Sequence, residues 1–501
     1  MISFDGKWSR RDFLKNSAAL AALASLPPSK TLFAGREKPM KRVFGRLGVE
    51  VTTLGLGGQA SLQWTPEGEN PVAIILKAFG LGVNYLDTSN LYGPSQLNYG
   101  EAFRRLHLVP GLPGYDEKLR RSIFLTSKTH LRWGKGGERR ANVNNWTNGN
   151  PASHAADDLK RSLSQIFGDG NGGFPDGAYL DMMLIHNLNT PEEVDVLFQG
   201  LDDAGAENVG ALGVLRDFRD GTNLTGVNPK EEKRIRHIGF SGHFSAPVMM
   251  EMIRRDAGNL LDAVLVAVNA NDSRYLNMQH NLLPVAEAKS MGVIAMKVFA
   301  DGAMYSKGAH WSRTPADVVQ SVGAPGLPSA PFVRYALTAP DVHTAIIGTG
   351  HADKNPRLCQ LENNLAAAQI LPSGLSPSDR ARIEEAAASV KKGGTNYFQK
   401  AHEPLSPASD PMASNDRIGE RRIVRLAWNT AYAGSDPINR YDVVRDGRTV
   451  ASVPHRPQTG PSPFSYEDDP ADLSGHEYAI VTVDASGSTA RTGVMIVPSA
   501  E

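Results

Sequence analysis

Between Val51 and Gly348 the chain alternates between two kinds of stretch, and this alternation constrains the fold more than any other feature. Short β-branched runs fall at Val51–Gly58, Asn84–Ser89, Ser122–Lys128 and Leu180–His186, then at Ile235–Ser241, Ala263–Asn269, Gly292–Val298 and Val342–Gly348. Stretches with helical periodicity lie between them, among them Pro71–Phe79, Tyr99–Leu106, Ala152–Ile166, Pro247–Arg255, Leu282–Ser290, Ala330–Leu337 and Leu358–Gln369. The runs are almost continuously apolar, as strands buried on both faces must be. Eight such strands, each followed by a helix, predict an α/β chain folded as a (β/α)8 TIM barrel over residues 40–392. Lys41–Glu50, with Gly45 and Gly48, predicts a small hairpin closing the barrel floor. An open doubly wound sheet needs a Gly-rich turn after the first strand, and Gly55-Leu56-Gly57-Gly58 is not followed by G-x-G-x-x-G.

The ends of the chain read differently. Ser9-Arg10-Arg11-Asp12-Phe13-Leu14-Lys15, an Ala- and Leu-rich run from Ser17 to Leu26 and small residues near Ala34 have the layout of a signal peptide, assigned to residues 1–34. The paired arginines resemble a twin-arginine export motif, which implies a periplasmic or secreted protein exported after folding. The apolar run is too short for a membrane span, so none is expected in the mature form. After a helix at Pro377–Val390, residues 393–419 are rich in Pro, Ser, Asn and Gly and read as a linker. Residues 420–499 then show period-two alternation, at Val424, Leu426 and Trp428 and again at Tyr478, Ile480 and Thr482, split by turn residues. That pattern predicts a small all-β sandwich, with Trp428, Leu473 and Tyr478 similar to core positions of fibronectin type III domains. The linker predicts that deleting Asn415–Glu501 leaves an intact barrel. Binding of a protein or carbohydrate partner is the default role for such a module.

Composition narrows the function. Lys+Arg and Asp+Glu are both 53, with no basic run that would favour nucleic acid. One cysteine, Cys359, and scattered histidines offer no metal-ligand spacing, so no metal is expected.

Chemistry concentrates at strand ends. The second strand ends in Asp87 with Tyr92 in the loop beyond, the third in Lys128, and the fourth in His186. In a barrel these ends are neighbours on the face that carries active sites. Each has a plainer reading alone, Lys128 as a structural ion pair and His186 as a hydrogen-bonded strand terminus. Four together at neighbouring ends point to one site. The long connections Thr129–Pro151 and Phe299–Pro328, carrying Trp133, Trp146, Tyr305 and Trp311, are expected to form lids over it.

L-D-T-S-N-L-Y-G, F-L-T-S-K-T, D-M-M-L-I-H-N, I-R-H-I-G-F-S-G-H and the later G-T-G…L-E-N-N-L occur in an order that resembles the aldo/keto reductases, from Arg42 to about Gln369. The resemblance implies hydride transfer between NADP(H), with NAD as the alternative, and a small carbonyl or alcohol substrate, with no nucleic-acid partner. It implies that Tyr92 is the general acid, that Lys128 held by Asp87 lowers its proton affinity, and that His186 orients the substrate oxygen. It carries cofactor binding onto Ser241, Asn269, Lys297, Phe299, Gly348, Thr349 and Asn364, with Lys354 and Arg357 on the 2′-phosphate of NADP. The sequence departs from the family at Met296, where an aromatic ring often stands, and at Gly242-His243, where Asn often follows the serine. The alternative reading is a non-catalytic secreted binding or regulatory protein on the same barrel.

Overall fold

The computed structural model describes residues 38–499, apart from 139, 146–152, 204, 321–328, 370–373, 402–404 and 419–420. The twin-arginine stretch and Trp146 lie outside the described residues. Contacts divide the chain into two compact units.

The first unit holds the barrel. Strands β1 (Lys41–Val43) and β2 (Glu50–Thr52) pair antiparallel as the expected hairpin. Phe44 sits fully buried at its turn, packing edge-on against Tyr85 and Phe124. Eight parallel strands then close on themselves: β3 (Leu54–Leu56), β4 (Tyr85–Asp87), β5 (Phe124–Thr129), β7 (Leu180–Ile185), β9 (Ile235–Gly242), β10 (Ala263–Ala267), β11 (Gly292–Met296) and β12 (Val342–Ile347). The closing seam joins the first barrel strand to the last, with Leu54 opposite Ala345 and Leu56 opposite Ile347. Every side chain of β4, β5, β7, β10 and β11 is buried; β10 and β11 are wholly apolar, while β4, β5 and β7 bury polar residues among their apolar ones.

The long connections carry structure that composition hid. β6 (Trp133–Lys135) pairs antiparallel with β8 (Val209–Gly210), tying the loop after β5 to the one after β7. The stretch after β7 holds two helices, Pro191–Phe198 and Ala211–Asp220. Among the described residues no helix is long and apolar enough to cross a membrane.

The second unit comprises residues 244–259, 272–290 and 399–501. Its C-terminal part is all β. One sheet contains β13 (Ser409–Ile418), β14 (Arg421–Asn429) and β17 (Phe464–Asp468). The other contains β15 (Ile438–Arg445), β16 (Arg448–Pro454), β18 (His476–Asp484), β19 (Thr489–Arg491) and β20 (Met495–Val497). Trp428, Tyr441 and Phe464 fill its core, the Trp428 and Phe464 rings stacked 6.1 Å apart. Two expectations are corrected here. The stretch read as linker includes β13, whose backbone is paired along β14, so its Ser, Asn and Asp residues sit on a strand rather than a tether. Leu473 is 45% exposed and belongs to no core, because it lies in a turn before β18. The Tyr478 hydroxyl, buried as expected, donates to the Asp468 carboxylate at 2.6 Å.

The sandwich also shares its unit with two helices from the barrel repeat, Ala246–Arg255 and Leu282–Ala288. Asn281, just before the second, exchanges two hydrogen bonds with the Ala433 backbone, at 2.8 and 2.9 Å, and Asn277 donates to the Gly434 carbonyl.

Candidate active site

β4 delivers Asp87 at its last position, and the turn that follows is locked from beneath. Asn90 donates to the Lys128 carbonyl, the Asp158 carbonyl and Ser162 Oγ. Gln96 donates to Ser127 and Ser162. These buried amides hold the Thr88–Tyr92 loop against β5, so the strand-end residues meet with little freedom.

Lys128 is fully buried, and all three of its ammonium protons have acceptors: Asp87 Oδ1 and Oδ2, both at 2.7 Å, and the Thr88 carbonyl at 2.8 Å. Burial opposes both charges, pushing Asp87 up and Lys128 down, and their mutual contact counters it. The Lys128 ammonium lies 4.6 Å from the centre of the Tyr92 ring, against its face. His186 meets Tyr92 edge-on at 5.7 Å and shares a 3.3 Å hydrogen bond between Nδ1 and Ser89 Oγ. Burial, then the charge of Lys128, hold its pKa well below that of ordinary histidine, so the ring is neutral at working pH.

Burial, followed by the carboxylates of Asp87 and Asp301, pushes the Tyr92 pKa well above its usual value. The protons of the nearby lysine are engaged by Asp87 and Thr88. Tyr92 is therefore a protonated donor across the neutral range.

Asp87 and Tyr92 open onto a cavity of about 130 Å³, which also has Lys297, Phe299 and Gly348 in its wall. Three of the expected cofactor residues thus meet the catalytic candidates. Gly57 and Gly348 press together in this wall; a Cβ on Gly57 would come within 2.9 Å of the Gly348 nitrogen. Ser241 and Asn269 do not line the cavity but are fully buried at strand ends. Ser241 Oγ accepts from Asn187 N at 2.9 Å, while Asn269 donates to the Lys297 carbonyl and accepts from Asn271 N. Thr349 and Asn364 are buried, and each keeps a side-chain oxygen with no hydrogen-bond partner among the described residues. Such orphaned groups fit a polar ligand. Lys354 and Arg357 are exposed and stand apart from the cavity.

Sequence reasoning assigned no role to two charged or titratable residues of the same wall. Asp301, in left-handed conformation (φ 57°), accepts from Lys307 (2.6 Å), Ser312 and Tyr397 (2.9 Å), with Lys297 at 3.4 Å. Burial works against its charge, but Lys297 and Lys307 outweigh it and hold the carboxyl well below the usual range. His243, one residue past β9, is the other. Asp301 lay inside an irregular loop and carried no signal; His243 stood at a strand end, where the same reasoning that found His186 applies.

The loop after β11 reaches the cavity through Ser312, Asp317, Val318 and Val319. Gln360 fastens it: its Nε2 donates to the Val319 carbonyl, and its Oε1 accepts from Gly350 N and His351 N.

Residues 53–388 match the family model described as "Aldo/keto reductase family". L-galactose dehydrogenase from Arabidopsis thaliana is 23% identical over 366 residues, covering 70% of this chain and 95% of that protein. An aldo-keto reductase from Klebsiella pneumoniae, solved in complex with NADPH, is 18% identical, covering 69% and 94% of the two chains with a TM-score of 0.42. An aldo-keto reductase from Bombyx mori in complex with NADP is 14% identical over 73% and 95%, again at 0.42. With the match spanning the whole closed barrel and both ends of its candidate site, the chain belongs to the aldo/keto reductase family and is an NAD(P)-dependent oxidoreductase of that kind.

Proposed function

We propose that the protein is an exported reductase that transfers hydride from NADPH to a carbonyl, with a sugar or other cyclic compound as substrate. One observation carries the reading: Lys128 is clamped by Asp87 beneath the Tyr92 ring, with neutral His186 edge-on to it, and Asp87 and Tyr92 line one cavity. Lys297, Phe299 and Gly348 would hold the cofactor, with the orphaned oxygens of Thr349 and Asn364 as further anchors. Bound there, NADPH supplies the hydride. The chain's own residues do the rest. Tyr92 donates its hydroxyl proton to the substrate oxygen as negative charge develops on it, and His186 hydrogen-bonds that oxygen and fixes its direction. Asp87 keeps Lys128 charged and stationary against the ring, so the phenolate formed after transfer meets a cation at short range. Exposed Lys354 and Arg357 support preference for NADP. The name of the Arabidopsis relative supports a sugar-class substrate.

Export rests on Arg10-Arg11 and the segment that follows. Outside the cytoplasm free NADPH is scarce, so an exported reductase needs its cofactor enclosed during transit. The test combines both points: the protein recovered from the periplasm is denatured and its supernatant assayed for NADP(H), and the intact protein is given NADPH and an aldehyde panel. Nucleotide in the supernatant and consumption of NADPH with the panel are expected. An empty protein that turns over nothing overturns the reading in favour of a secreted binding protein.

A further inference from the structure

The cavity holds two polar groups whose hydrogen-bonding capacity is open toward it. The Tyr92 hydroxyl has no hydrogen-bond partner among the described residues, and neither has His243 Nε2. The charged groups beside them are engaged: Asp87 by Lys128, and Asp301 by Lys307, Ser312 and Tyr397.

The state of His243 follows from its contacts. Its Nδ1 lies 2.8 Å from Asn187 Oδ1, an oxygen that can only accept, so Nδ1 carries the proton and Nε2 a lone pair. Asn187 is itself fixed, in left-handed conformation (φ 54°), its amide donating to Ser241 Oγ and its carbonyl accepting from buried Arg132. Burial, then the charge of Lys297, hold the ring neutral. Trp311 and Phe398 pack edge-on at 5.3 and 6.1 Å and keep it from turning. The result is a rigid acceptor facing the cavity where Tyr92 presents a donor.

We propose that His243 is the specificity residue of this site: its Nε2 accepts a hydrogen bond from a hydroxyl on the substrate, which selects polyhydroxylated carbonyl compounds over plain aldehydes and ketones. The proposal rests on the reductase reading. A carbonyl oxygen satisfies Tyr92 but offers His243 nothing, because two acceptors do not bond. A substrate carrying both a carbonyl and a hydroxyl satisfies both. A plain aldehyde leaves the buried nitrogen dehydrated and unpaired, the situation that makes hydrogen-bonding sites discriminate strongly.

The test compares glyceraldehyde with propanal, equal in carbon number and differing in hydroxyls, through kcat/KM with NADPH. The wild-type protein is expected to prefer glyceraldehyde by at least about tenfold, and His243→Phe to reduce that ratio by about tenfold. His243→Gln, which keeps an acceptor oxygen, is expected to recover part of the ratio and guards against a folding defect. A ratio unchanged in both variants overturns the proposal. So does weakened NADPH binding, read by fluorescence titration, with the ratio intact, because the nitrogen would then serve the cofactor. If the wild-type protein reduces neither aldehyde, the reductase reading has failed, and saturation-transfer NMR with xylitol decides separately. A xylitol signal lost in His243→Phe sustains the proposal, and no signal in the wild-type protein overturns it.

Discussion

Tyr92 and His186 face the same working pH with their proton equilibria pushed apart, and this shapes what each can do. With Tyr92 above its usual range and His186 well below its own, neither titrates near neutrality. Carbonyl reduction is therefore expected to be nearly flat from about pH 6 to 9, checked by the pH profile of kcat with saturating NADPH. Tyr92→Phe should lower turnover by about 10²–10⁴-fold, with NADPH binding within about threefold of wild type by fluorescence titration. Asp158 supplies a stability prediction. Burial raises its pKa to about 6, against the hydrogen bond from Thr129 at 2.7 Å. The folded state thus holds a proton that the unfolded state releases, so this residue's contribution weakens as pH rises from about 4 to 6. Asp158→Asn is expected to remove that part of the pH dependence and to gain about 1–3 kcal/mol near pH 7.5 relative to pH 5, measured by urea unfolding at both pH values. Asp87, Lys128 and His186 were legible because strand ends announce themselves as a polar residue closing an apolar run. Asp301 was not: its importance comes from Lys307 and Tyr397, brought to it from loop and C-terminal positions that no local pattern connects.

Strands were the most legible elements, since each barrel strand is short, buried and bounded by polar residues. What escaped was pairing that depends on distant partners. β6 is a three-residue strand only because β8 lies beside it, and β13 is a strand only because β14 offers its edge. Composition cannot distinguish such segments from loops. Gln360 gives the loop after β11 a comparable dependence on a distant partner. Gln360→Ala removes the donor to Val319 and the acceptor of two backbone amides, so Ser312–Val319 should loosen. About tenfold faster NADPH release is expected by stopped-flow chase, together with faster amide exchange across that segment. Unchanged release would show that this segment does not enclose the cofactor.

For the whole molecule, the tethered module read from composition gives way to a different division. A cut at Asn415 would split β13, and the sandwich belongs to one unit with two helices that the barrel repeat places far upstream. Removing Leu405–Glu501 takes away the partners of Asn277 and Asn281, which are 1% and 3% exposed. Stranding buried amides costs about 1–3 kcal/mol each, so the truncated chain should melt lower and aggregate more readily, as differential scanning fluorimetry and light scattering would show. The closing seam of the barrel has a consequence of another kind. Arg42 donates to the Leu337 carbonyl, 295 residues along the chain, close to where β3 meets β12. A ribosome adding about 5–20 residues each second needs about 15–60 s to synthesise that interval. Throughout that time the first barrel strand has no neighbour on one side. The barrel therefore cannot close until its last strand has emerged, and the open edge of the first must be kept from other partners until then.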